Sequence, residues 1–107
     1  MDLIGLSSAF RTWSNQDRAL FMIRVLTDAY DNDFKLIRDG SDCILEYSLP
    51  DYTLIRVEFV VTFPGGEDFV RVFRDESTTM DFSGPCTTES ELEELFGLFG
   101  IDVDDIV

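Results

Sequence analysis

The chain has no histidine, a single lysine, three prolines, two cysteines and no long apolar run. Without imidazole it lacks the side chain most used for acid–base work near neutral pH, and also the commonest metal ligand. Two cysteines cannot build the disulfide framework of a small secreted scaffold, and neither Cys43 nor Cys86 has an imidazole to activate it as a nucleophile. One disulfide between them stays open, with two reduced thiols the preferred reading. No stretch approaches the ~20 apolar residues that cross a bilayer. Met1 to Leu6 have no basic flank and the apolar stretch breaks at Ser7 and Ser8, so no signal peptide and a cytoplasmic location are expected.

Motifs for chemistry are equally scarce. Pro64, Gly65 and Gly66 have neither the lysine nor the spacing of a phosphate-cradling loop and read as a hairpin turn. Asp28, Asp31, Asp33 and Asp39 miss the calcium-loop spacing, because Lys35 falls where the third oxygen ligand belongs. A glycosidase-type carboxylate pair needs a deep cleft that a chain of 107 residues has little room to build. The expectation is therefore a protein that is not an enzyme and takes no cofactor or metal.

What the chain does have is acid. Asp and Glu number 22 against eight Lys and Arg, for a formal charge of −14, yet hydrophobic residues make up 45% and include ten Phe. That is enough apolar material for one compact core, so residues 1–107 are read as a single folded domain and not as an acidic disordered tail. Salt adaptation also yields acid-rich, lysine-poor surfaces, but large apolar side chains count against it. Self-repulsion at this charge destabilises the compact state, so the field is expected to serve solubility or to attract something positive.

Hydrophobic spacing gives an α+β order: an N-terminal helix, an antiparallel meander of four to five strands and a short C-terminal helix. Leu3, Leu6, Phe10 and Trp13 suggest a short or frayed leading helix. Ser14 and Asp17 form a capping pattern for a greasy helix from about Asn15 to Tyr30, with Asp17, Arg24 and Asp28 on its narrow polar stripe. Phe21, on that stripe, is expected to pack under the first segment. Strands follow over Phe34 to Arg38 and Asp42 to Leu49, joined by a tight turn at Asp39 and Gly40. Tyr52 to Phe63 reads as the clearest strand, with Ile55, Val57 and Phe59 inward and Arg56 and Glu58 outward. Glu67 to Arg74 and an edge strand over Thr78 to Ser83 complete the meander. Leu54, Val60, Val70 and Val72 are read as a second apolar face, to be covered by the last helix or left for a second copy or a partner. Thr88 and Glu91 cap a helix from Glu89 to about Phe99 that ends at Gly100. The tail from Gly100 to Val107 reads as a short edge strand or a frayed end, in preference to a tip captured by a basic pocket.

The charge is unevenly placed. From Asp75 onward there are ten acids, Asp75, Glu76, Asp81, Glu89, Glu91, Glu93, Glu94, Asp102, Asp104 and Asp105, and no base. Glu89 and Glu91 suit a helix N-terminus, but an uncompensated block of one sign is harder to explain as generic solubility. These ten are the candidate partner-binding residues. In size and charge the chain resembles the small acidic inhibitors that phages make against host restriction and CRISPR systems. That resemblance implies an anti-restriction or anti-CRISPR protein, in some cases a DNA mimic, that occupies a basic, nucleic-acid-binding surface of another protein without itself binding nucleic acid or membrane. The alternative is a small acidic chaperone, antitoxin or immunity-type protein that masks its partner through an apolar sheet face. A homodimer stays open under either.

Overall fold

A computed structural model describes residues 2–30, 33–49, 52–61, 68–75, 80–85 and 88–106. In chain order the elements are α1 (Leu3–Thr12), α2 (Asn15–Tyr30), β1 (Phe34–Asp39), β2 (Asp42–Ser48), β3 (Leu54–Val61), β4 (Asp68–Arg74), β5 (Met80–Gly84), α3 (Glu89–Gly97) and a 3₁₀ turn (Val103–Asp105). The architecture is α+β, as the spacing predicts.

Local chemistry starts each helix. The Asp2 carboxylate accepts from Gly5 N at 2.7 Å, the Ser14 hydroxyl from Asp17 N at 3.2 Å and the Thr88 hydroxyl from Glu91 N at 3.3 Å, each meeting an N–H that the helix itself leaves without a partner. The leading helix is better anchored than its Gly and Ser content suggests, because Arg18 of α2 is buried against its end. The Arg18 guanidinium donates to Phe10 O at 2.8 Å and Arg11 O at 3.1 Å, lies over the Phe10 ring and pairs with Asp68 of β4. A cation there meets the negative end of α1 and its orphan carbonyls together. Phe21 packs where expected, its ring 5.1 Å from Trp13 and 6.3 Å from Phe96.

The five strands form one antiparallel sheet in the order β1-β2-β3-β4-β5. Asp39 pairs with Asp42, so the central turn residues are Gly40 and Ser41 rather than Asp39 and Gly40, and Gly40 supplies the positive φ of 62°. Register also corrects the expected second face. Val57 stands opposite Val72, and Phe59 opposite Val70. Paired residues share a face, so Val70 and Val72 belong to the core; a reading of β4 by itself missed its phase.

On the inner face, Leu45, Tyr47, Ile55, Val57, Phe59 and Val72 are fully buried in a single cluster with Leu6, Phe10, Met22 and Leu26 of the first two helices and Leu92, Leu95 and Phe96 of α3. All three helices therefore cover the same side. The last helix does not cover the outer face, which is left to Ile37, Ile44, Leu54, Val60, Phe69 and Phe73, interleaved with charge. There Glu58, only 8% exposed, accepts from Arg56 and Arg71 at 3.0 Å each.

Candidate interaction surface

Chain direction decides which acids meet. Asn15 at the start of α2 donates to Ser41 O at 3.0 Å and Arg18 reaches Asp68, so α2 begins at the sheet end that holds the β1–β2 turn and runs toward the start of β1. β5 ends where Gly84 faces Val70, and α3 follows it back to the side of Tyr30, whose hydroxyl donates to Phe99 O. One end of the sheet thus gathers the end of α2 with the start of β1, the end of β2 with the start of β3 and the end of β4 with the start of β5, and the described residues after α3 follow on the side of Tyr30. Glycine fastens this arrangement. Gly100 has φ 73°, and Ile101 N bonds Phe96 O at 3.1 Å while Gly100 N bonds Gly97 O at 3.0 Å. This is the bond pair of a Schellman ending, as the sequence predicts for the stop at Gly100.

The candidate acids fall into distinct situations. Glu93 and Glu94 are exposed on α3, opposite its buried Leu92, Leu95 and Phe96. Asp104 and Asp105 are exposed on the 3₁₀ turn, a conformation that replaces the expected strand or frayed tail, and Asp102 caps that turn by accepting from Asp104 N at 3.0 Å. Glu89 and Glu91 are half-buried in the first turn of α3, and the Glu91 carboxylate accepts from the Thr88 hydroxyl at 3.0 Å, so these two serve the helix. The Asp75 carboxylate accepts from Leu54 N at 3.0 Å and pins β3 to the end of β4. Glu76 and the side chain of Asp81 lie outside the described residues.

Two acids that the charge count passed over join the group. Asp28 and Asp105 both line a cleft of about 610 Å³ between α2 and the C-terminal segment, together with Leu6, Val25 and Ile106 and the cation Arg24. Asp33 is exposed at the start of β1, at the same end. Among the described residues Asp28, Asp33, Glu93, Glu94, Asp104 and Asp105 take part in no ion pair. Local spacing places Asp28 on the polar stripe of α2, but nothing in that stripe shows that the C-terminal turn folds back beside it.

Other chemistry is sparse. The described residues contain no group of three or more acids or cysteines close enough to share a metal ion, and Asp33 and Asp39 stand at opposite ends of β1. Cys43 is buried on the inner face, and burial pushes its thiol pKa up, with Arg38 pulling the other way. Among the described residues no helix is long and apolar enough to cross a membrane. No family model, no curated protein and no solved structure matches this chain.

Proposed function

We propose that this chain is a non-catalytic cytoplasmic inhibitor or binding protein whose acidic end occupies a basic, nucleic-acid-binding surface of another protein, in the manner of phage anti-restriction or anti-CRISPR proteins. The observation that carries the reading is a set of exposed carboxylates that take part in no ion pair among the described residues, Glu93 and Glu94 on α3 and Asp104 and Asp105 on the turn that follows it, with Asp105 sharing a cleft with Asp28 of α2. Carboxylates held on a folded frame lose little entropy on docking and can stand in for a phosphate track. They also speed encounter with a cationic groove, at the cost of strong salt dependence.

The test is capture of host nucleic-acid-binding proteins at two salt concentrations, in competition with DNA and RNA. Retention that falls steeply with salt and is displaced by nucleic acid supports the reading. Salt-independent capture would overturn it.

A second reading has its own observation. Among the described residues no helix covers the outer sheet face, which carries Ile37, Phe69 and Phe73 around the Arg56–Glu58–Arg71 group, with Val60 only 8% exposed. A chaperone, antitoxin or immunity-type protein would mask its partner there. Capture through that face is little affected by salt and is lost on Phe73→Asp, whereas the acidic end tolerates that change.

A further inference from the structure

We infer that Tyr52 is the aromatic anchor of the acidic end, a ring on which an arginine of the basic partner stacks; this rests on the reading of that end as a partner-binding surface. Tyr52 has φ 69° and is 91% exposed. Positive φ brings Cβ against the following carbonyl, so a bulky residue there is an outlier, whereas Gly takes the conformation without that clash. The reversal between β2 and β3 demands it: Tyr52 N donates to Leu49 O and Leu49 N to Thr53 O, both at 2.9 Å. Glycine is the habitual occupant of the left-handed position that closes such a hairpin.

A strained residue persists when its side chain returns something. Internal packing is not the return here, because the ring stands in solvent and makes no hydrogen bond or ring contact among the described residues. Contact with another molecule is the return that remains, and exposed tyrosine is enriched in the residues that dominate interfaces.

The neighbours state which group fits. Two residues along, Leu54 is bonded to Asp75 in both directions, Asp75 N to Leu54 O at 2.7 Å and Leu54 N to Asp75 Oδ1 at 3.0 Å, which sets an exposed carboxylate beside the strand that leads from Tyr52. An exposed π face at the end of the sheet that also holds that carboxylate suits a guanidinium, which is planar, weakly hydrated and able to stack while donating in its plane. An ammonium gains the charge but not the stacking. The partner group is therefore arginine rather than lysine.

The experiment titrates the protein with oligoarginine and with oligolysine of equal length at physiological salt, followed by NMR of the tyrosine rings. An exposed cation–π contact predicts that the wild type and Tyr52→Phe bind oligoarginine about two- to fivefold more tightly than oligolysine, with the ring signals of residue 52 moving. In Tyr52→Gly that preference disappears while the urea midpoint rises, so unfolding cannot account for the loss. Preference retained in Tyr52→Gly overturns the inference, as does binding that leaves the Tyr52 ring unmoved. Equal binding of both peptides by the wild type overturns the role of Tyr52 and leaves the acidic end standing. Binding of neither peptide removes the acidic-end reading and this inference with it.

Discussion

Gly100→Ala tests the joint on which the acidic end depends. At φ 73° an alanine pays the left-handed penalty of about 1–2 kcal/mol. Its Cβ would also meet the Tyr30 hydroxyl at 3.0 Å, so that hydroxyl must shift and loosen its bond to Phe99 O. A hydrogen bond of this kind contributes about 1 kcal/mol net, which brings the expected loss to about 2–3 kcal/mol. Against the roughly 5–15 kcal/mol that holds a domain of this size, that loss is large. With a urea slope of about 1–3 kcal/mol per molar, the midpoint followed by Trp13 fluorescence falls by about 0.7–3 M.

Two controls sharpen this test. Tyr30→Phe removes both the hydrogen bond and the obstacle, so adding Gly100→Ala to it costs only the backbone share, and the two changes are sub-additive. Gly97→Ala, where no atom lies within 4 Å of the added Cβ and φ is not positive, gains up to about 1 kcal/mol from helix propensity. If Gly100→Ala matches Gly97→Ala in sign and size, the account of the α3 stop is wrong.

Arg18→Met keeps bulk but strips two α1 carbonyls and Asp68 of their donor, and thermal unfolding should show a loss of about 2–4 kcal/mol, from the ~1.5–3 kcal/mol of a charge-assisted bond with partial compensation by solvent at Asp68. Unchanged melting would mean α1 is held by its apolar face alone. Replacing Glu93, Glu94, Asp104 and Asp105 by their amides should lower affinity for an immobilised polycation and flatten its salt dependence, with stability equal or slightly higher as repulsion is relieved. Loss of fold in that variant, or unchanged retention, would count against the surface proposed here. Cys43 gives a pH signature: its folded pKa is raised by burial, so the unfolded thiol ionises first and the group withdraws stability as pH climbs through the unfolded value of about 8.5. Cys43→Ser should reduce that alkaline decline in denaturant titrations carried out on either side of pH 8.5, and a decline of equal size in both proteins would discount the thiol.

Much of the fold was legible because it is written in short-range chemistry. Ser14 with Asp17, Thr88 with Glu91, and Gly100 after an apolar stripe are each decided within four residues, by N–H and carbonyl groups that need a local partner. The alternation of Ile55, Val57 and Phe59 is likewise internal to one strand. The phase of β4 was not legible in this way, since whether Val70 or Phe69 faces the core depends on the hydrogen-bond register with β3. Arg18 illustrates a further limit. Its sequence neighbours mark it as an ordinary helix-surface cation, and only the approach of α1 and β4 makes it buried and shared.

The acid count likewise divides in two. Composition and order alone determine that the chain is strongly anionic, that its cations stop at Arg74 and that it can fill one core. Only the tertiary structure decides which carboxylates are spent within the molecule, as with Asp68 on Arg18 and Glu58 on Arg71, and which are left to face outward. It also brings Asp28 within the same cleft as Asp105, far away in sequence. The reason is that charge is a property of residues, whereas a charged surface depends on the directions in which helices and strands carry those residues, and those directions follow from packing contacts between segments far apart in the chain.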